Sequence, residues 1–151
     1  MNVNDIKAGQ KITVNGKEYS AIAKVFFISV NTGRKFCKVF LTDNCIIGYN
    51  LPQETEIAYF GELIETLPYD YYDLPDEIIY NGKTYKKDGG EQYQRVLKLE
   101  LGDLNNSEGE CRFINYSADD DSWLSPGLIT QTGARADFYG EDMSKYEISF
   151  D

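Results

Sequence analysis

Two acidic side chains follow glycine at the end of similar aromatic stretches, A-Y-F-G-E at Ala58 to Glu62 and D-F-Y-G-E at Asp137 to Glu141. Two carboxylates held close together can divide acid and base work, because one is kept protonated while the other stays ionised. Glu62 and Glu141 are therefore the candidate catalytic pair, on condition that the fold brings them together. A second acidic group, S-A-D-D-D-S at Ser117 to Ser122, sets Asp119, Asp120 and Asp121 in a row. Hard cations take several carboxylate oxygens, so this run is the candidate metal site. Its spacing argues otherwise, since adjacent residues point in different directions and a calcium loop of the EF-hand kind needs alternate positions and a glutamate at the twelfth. The stretch D-L-N-N-S-E-G-E from Asp103 comes nearer, but Gly109 is one place late and Ile114 holds the twelfth position. Both acidic segments read more simply as solvated hairpin loops, and each Gly-Glu as a turn closing an aromatic strand.

Histidine is absent, which removes the commonest general base and metal ligand. Neither a nucleophile elbow, a phosphate loop nor a dinucleotide fingerprint occurs. The expectation is a noncatalytic protein-interaction or ligand-binding module with no cofactor. A metal-dependent enzyme using Glu62, Glu141 and Asp119 to Asp121 is the alternative.

Aromatic residues supply the other candidate surfaces. L-P-Y-D-Y-Y-D-L-P, Leu67 to Pro75, holds Tyr69, Tyr71 and Tyr72 between prolines. The residue before a proline avoids helix, so the stretch reads as an extended linker. Tyrosine offers broad, stiff contact area at little entropic cost, so an exposed cluster here would suit a protein partner. Tyr49 and Trp123 are expected to line a cleft with Glu62 and Glu141.

The elements that must position these residues come from an internal likeness. V-N-G-K-E-Y at Val14 to Tyr19 is answered 66 positions later by Y-N-G-K-T-Y at Tyr80 to Tyr85. Cys37-Lys38-Val39-Phe40 is answered 74 positions on by Cys111-Arg112-Phe113-Ile114, and Tyr49 and Pro52 by Trp123 and Pro126. The two Gly-Glu stretches match at an offset of 79. Insertions of eight and five residues in a second copy would account for the drift. The expected organisation is a first β unit over residues 1–66, a Tyr-rich linker over 67–75 and a second β unit over 76–151. N-G-K-x-Y itself reads as turn chemistry, because Asn and Gly both tolerate the positive φ of a type I′ hairpin.

Local patterns are almost wholly β. Ile22 to Val30 and Lys35 to Leu41 flank the hairpin connection N-T-G-R, and Arg95 to Leu101 alternates with a period of two. Glu110 to Tyr116, Ala136 to Tyr139 and Tyr146 to Phe150 complete the set. With Tyr and Phe at 12 and 8 residues, the composition also suits pleated, half-buried surfaces. The expected fold is all-β: two duplicated antiparallel units, barrel- or roll-like, packed together with a pseudo-twofold relation.

Charge narrows the partners. Of the formal net charge of -10, residues 1–66 contribute nothing, with seven basic and seven acidic side chains, while residues 67–151 carry eight against eighteen. Such an acidic surface repels phosphate backbones, so no nucleic-acid partner is expected. No apolar run approaches the ~20 residues that span a bilayer. Three cysteines, Cys37, Cys45 and Cys111, leave one over in any pairing, and the first residues have no secretory pattern. A reducing cytoplasm is the expected compartment.

On Gly9 before a short strand, the two N-G-K-x-Y stretches, Asn115-Tyr116, Trp123-Leu124-Ser125 and Tyr139-Gly140-Glu141, the chain resembles the bacterial domain-of-unknown-function family numbered 4178. The resemblance covers most of the chain and implies a tandem of two β units in an accessory protein without established activity. Pro126-Gly127 stands where that family tends to have a glutamate, and Phe36-Cys37-Lys38-Val39 replaces its Trp-x-Glu-Tyr strand. Roles for those acidic positions do not carry over.

Overall fold

The computed structural model describes residues 5–7, 9–51, 57–101 and 110–150. Pro52 and the Asp103 loop weighed above as a calcium ligand set lie outside the described residues. Among those described, the first strands are β1 (Lys11–Val14), β2 (Lys17–Ser29), β3 (Lys35–Leu41), β4 (Cys45–Asn50) and β5 (Tyr59–Leu63). Then come β6 (Glu77–Tyr80), β7 (Lys83–Lys87), β8 (Gln92–Leu101), β9 (Cys111–Phe113) and β10 (Tyr116–Ser117). The last are β11 (Trp123–Ser125), β12 (Gly127–Ile129), β13 (Phe138–Gly140) and β14 (Ile148–Phe150).

Both N-G stretches are hairpin turns of the expected type. Asn15 and Gly16 have φ of 51° and 81°, and Asn81 and Gly82 have 49° and 76°. Each lysine begins the outgoing strand, pairing β1 with β2 and β6 with β7. The twist of such turns matches that of the strands they join.

The protein is all-β, and its strands form one large antiparallel sheet that does not close. The sheet runs β12-β9-β8-β2-β3-β4-β5-β13-β11-β10-β7-β6, with β1 beside β2 and β14 beside β1. The expected barrels are therefore not formed. The halves instead meet through backbone hydrogen bonding: β5 pairs with β13, setting Glu62 against Tyr139 and Leu63 against Phe138. The centre of the sheet reads the same outward in both directions, β5-β4-β3-β2-β1 one way and β13-β11-β10-β7-β6 the other. β8, β9 and β12 fall outside that pattern.

Alternation along the strands distributes the core over both faces of the sheet. Cys37, Val39 and Leu41 of β3 join Ile12, Val14, Tyr19, Ile47 and Phe60 on one face, closed over by Met143, Tyr146 and Phe150. Phe40 of β3 joins Val25, Phe27, Ile46 and Phe138 on the other, with Phe36, Tyr59 and Trp123 packed against them. A third cluster, Leu67, Ile78, Tyr85, Tyr116 and Leu124, fills the second half.

In β8 Gln94 is buried and Val96 is partly buried against the second cluster, while Leu97 and Leu99 remain 49% and 40% exposed. Register shifts in the β2–β8 pairing accompany that distribution. The Leu67–Pro75 stretch has local structure of its own. Leu67 and Tyr71 are buried, and residues Tyr71–Asp73 form a short 3₁₀ turn capped by Asp70, whose side chain accepts from the Tyr72 N–H.

That stretch is pinned by a buried ion pair. Arg135 donates from Nε and Nη2 to the Asp137 carboxylate at 3.1 and 2.8 Å, and from Nη1 to the Tyr69 carbonyl. Asp137 also accepts from the backbone N–H groups of Leu67 and Gly127. Both its oxygens are thus committed, as a fully buried carboxylate requires.

Candidate functional site

Among the described residues, a cleft of about 420 Å³ opens on the face carrying Phe36 and Trp123. Its walls follow from period-2 alternation on five strands. β3 sends Phe36 and Lys38 into it, and β4 sends Ile46 and Asn50; from across the sheet come Phe113 of β9, Trp123 and Ser125 of β11, and Phe138 of β13. Tyr59 of β5 completes an aromatic lining, and Asp88 and Asn115 contribute polar groups.

Close packing of rings on bare backbone shapes the floor. Tyr59 lies across Gly48, so that a Cβ added there would collide with its ring. Trp123 lies over Gly61 and Gly140 in the same way; a Cβ on Gly61 would stand 2.8 Å from Cη2 of the indole. The two rings meet edge to face with centroids 5.7 Å apart, a favoured geometry for aromatic pairs. Gly61 is therefore not the turn residue that its Gly-Glu context suggests. It lies inside β5, where only glycine admits the indole.

The charge of the cleft is uneven. Lys38 is only 6% exposed, and its ammonium stands 5.5, 5.9 and 5.6 Å from the ring centroids of Phe27, Phe36 and Phe113. Ring faces carry negative quadrupolar charge and attract such a cation. Asp88 is exposed, and one of its carboxylate oxygens accepts from the Ser117 hydroxyl at 2.7 Å. Of the described lining, Lys38 and Asp88 are thus the charged side chains, one buried among aromatics and one exposed.

The residues singled out from the sequence are dispersed. Trp123 alone of them lines the cleft. Tyr49, on the other side of β4, is buried in the first core cluster. Glu62 and Glu141 lie outside the cleft lining. Glu62 shares a face of β5 with Phe60, opposite to the face of Gly61 under the indole. Glu141 donates its backbone N–H to the Tyr146 hydroxyl. Burial raises the Tyr146 phenol above its usual pKa, and the charges of Glu141 and Glu62 add to that rise. The two carboxylates therefore share a neighbourhood around Tyr146, away from the concave site.

The tyrosine cluster is also split. Tyr69 packs on the third core cluster, and the buried Tyr71 donates its hydroxyl to Glu91 at 2.8 Å. Tyr72 is 76% exposed. In the acidic run, Asp120 is ion-paired with Lys83 and accepts from the Ser122 hydroxyl and N–H, so its pKa falls well below the usual carboxylate range, Lys83 being the chief cause. Asp121 turns the chain with φ of 64°. Among the described residues no group of three His, Cys, Asp or Glu side chains is placed to hold a metal ion.

This latch occurs twice. Lys83 pairs with Asp120 while the Tyr85 hydroxyl hydrogen-bonds Ser122 at 2.9 Å. Lys17 likewise pairs with Asp43 at 3.1 Å, and the Cys45 thiol, an electrostatic neighbour of the Tyr19 phenol, donates to the Asp43 carbonyl at 3.6 Å. Burial pushes that thiol up, which keeps it protonated and unreactive. The correspondence Asp43 to Asp120 and Cys45 to Ser122 has an offset of 77, and it sets Trp123 against Ile46 in place of Tyr49.

Sequence reasoning missed Phe36, Lys38, Tyr59 and Phe113 as members of one site. One signal was present: a lysine in the middle of the apolar strand F-C-K-V-F-L. A charge at such a position must either be compensated in the interior or face a cavity. Among the described residues, no helix is long and apolar enough to cross a membrane. No protein-family model, curated protein or solved structure matches the chain.

Proposed function

We propose that this chain is a noncatalytic binding module whose site is the aromatic cleft between β3–β5 and β9, β11 and β13. One observation carries the reading: Trp123 is seated on Gly61 and Gly140 in the wall of a cavity large enough for a small organic molecule. A mostly apolar cleft with a few converging polar groups is the usual form of a small-ligand site. Glu62, Glu141 and Asp119 to Asp121 lie apart from it, which counts against the metal-dependent enzyme. As Trp123 is the single tryptophan of the chain, its emission reports occupancy directly. A fragment screen followed by emission titration is expected to yield saturable changes, abolished by filling the cleft with Ser125→Trp as judged by calorimetry. If no fragment binds the cleft in a crystal or by emission, the reading fails.

The proposal extends to ancestry and setting. The twice-built latch and the mirrored strand order support a duplication of residues 1–66 in 76–151, and the kinship with family 4178 rests on the same motifs. A cytoplasmic bacterial accessory protein is the setting that fits its acidic, cysteine-bearing chain. A protein partner would find its contact at Tyr72 and at Ile79 of the edge strand β6, 76% and 72% exposed. Affinity capture with the Tyr72→Ala, Ile79→Lys double variant is expected to lose partners that the parent chain retains; equal recovery by both would remove that surface from consideration.

A further inference from the structure

The two arms of the sheet end differently. We propose that the open edge of β6 accepts an extended segment of another protein as an added antiparallel strand, apolar at alternate positions and basic between them. This rests on the reading that a protein partner docks beside Ile79, and it is independent of the cleft. β1 and β6 hold the same place in the two arms, each leading into an N-G turn. β1 is covered by β14, with Ile12 opposite Phe150 and Val14 opposite Ile148. Asn15 fastens that strand, its backbone N–H donating to the Glu147 carbonyl at 2.9 Å. Its side-chain oxygen accepts from the Glu147 N–H at 2.7 Å, and its side-chain nitrogen donates to the Lys145 carbonyl at 3.0 Å. Asn81 stands in the same turn conformation. Yet among the described residues no strand pairs with that side of β6. The turn pairs Tyr80 with Lys83, so the alternation of an antiparallel ladder directs the backbone groups of Glu77 and Ile79 outward. Such an edge is a template for another strand.

Register and charge describe the occupant. A strand laid on β6 as β14 lies on β1 sets its apolar side chains opposite Ile78 and Tyr80, which belong to the third core cluster. Acidic groups predominate around the edge. Asp76 and Glu77 stand at its start, and Glu62 and Glu65 lie near Tyr80, where their charges add to the rise that burial causes in the phenol pKa. Against these four stand Lys87, 3.7 Å from Asp76, and Lys86, opposite Glu77 on β7. A basic strand therefore gains attraction on docking. Residues 67–151 carry eighteen acidic and eight basic side chains, so two copies of this half repel each other and a second β6 fits poorly.

The probe is the fluorescein-labelled peptide K-Y-K-I-S-F-K, which keeps the apolar pattern of β14, compared with its acidic form E-Y-E-I-S-F-E. Titrated with the full chain, the basic peptide is expected to give saturable anisotropy and the acidic one to bind about tenfold or more weakly. Hydrogen-exchange protection should rise at Ile79 and Asn81 and stay unchanged at Thr13. Methylating the backbone nitrogen of the peptide serine, which faces β6, should weaken binding about tenfold, whereas methylating that of the phenylalanine, which faces away, should not. Ile79→Pro removes the outward N–H at an edge position that tolerates proline, and should weaken the peptide similarly. The methylated peptides keep the test independent of whether that variant folds. Equal affinity of the two peptides would overturn the charge assignment. Binding indifferent to serine methylation would overturn the strand pairing while leaving a side-chain contact at Ile79. Self-association of the chain that Ile79→Pro abolishes would make the occupant a second copy and overturn the proposal. Failure of both peptides to bind overturns it as well, whereas the partner contact as such falls only if affinity capture ignores the Tyr72→Ala, Ile79→Lys change.

Discussion

The two halves of the sheet share an order of strands and differ in what interrupts it. From β1 to β5 the first half is a simple meander, each strand pairing with the next. The second half follows the same order through β6, β7, β10, β11 and β13, but the chain leaves it after β7 to make β8 and β9, and after β11 to make β12. Those excursions supply Cys111, Phe113 and Gly127 to the cleft. Without them the cleft would keep Trp123, Ser125 and Phe138 of the framework strands but lose its wall at Phe113 and Gly127. The shared framework thus provides a stable, twice-latched sheet and part of the site, and the departures from it complete the site. This division is familiar, since binding residues concentrate where a regular scaffold is interrupted.

The largest break in the comparison is expected at Asp137. Its counterpart in the first half, by the Gly-Glu alignment, is Ala58, which carries no such network. Asp137→Ala strands the Arg135 guanidinium and the backbone N–H groups of Leu67 and Gly127, so it should cost about 3–5 kcal/mol in urea unfolding. The Leu67–Tyr71 segment should lose hydrogen-exchange protection first. A loss below ~1 kcal/mol would show that the ion pair is dispensable.

The glycine seats should rank next. Gly140→Ala sets a methyl group against both the Trp123 indole and the Phe60 carbonyl, which is backbone and cannot yield. A loss of about 1–3 kcal/mol is expected, with a shift in Trp123 emission. Gly61→Ala meets mainly the far edge of the same indole and should cost less. Reversal of that order would mean that the two halves do not seat the ring as described.

The hydroxyl latches sharpen the comparison further. Tyr85→Phe removes an oxygen–oxygen hydrogen bond inside the third core cluster and should cost about 1 kcal/mol. Tyr19→Phe removes a phenol oxygen that lies beside the Cys45 thiol instead of a hydroxyl and should cost less by the same thermal denaturation assay. Equal losses would indicate that the Tyr85–Ser122 hydrogen bond adds nothing to the latch.

The smallest effect concerns pH. The folded Asp120 carboxyl lies below its unfolded pKa, because Lys83 and then Ser122 favour its ionised form. Its contribution is therefore present above the unfolded value of about 4 and is lost as pH falls below it. The difference in melting temperature between the parent chain and Asp120→Asn should be largest near neutral pH and close on acidification. High salt should shrink it, since the pair is exposed. A difference that persists unchanged at pH 2 would show that the ion pair is not its source.

Much of this framework was legible in the chain. The N-G-K-x-Y stretches specify their turns because two adjacent residues decide the φ values, and nothing remote has to agree. Strand positions followed from alternation, as with Lys35 to Leu41. The failures share one cause. Which face of β8 is buried depends on its pairing with β2, whose register shifts are a property of two strands more than 60 residues apart in sequence. Gly61 looked like a turn because its need is not conformational: Trp123 lies over it. The predicted cleft mixed residues of opposite faces, Glu62 with Trp123 and Tyr49, because parity within a strand is readable but which faces oppose one another is not.

The sequence by itself thus determined the all-β class, both type I′ hairpins and the acidic second half, all of which depend on composition or on neighbours within a few residues. Tertiary structure decided the single open sheet, the pairing of β5 with β13 and the cleft. Phe36, Lys38, Phe113 and Trp123 come from segments widely separated along the chain, and they face one another only after the long-range strand pairings have formed. A site of that kind is written in the register of the sheet, which local propensity does not encode.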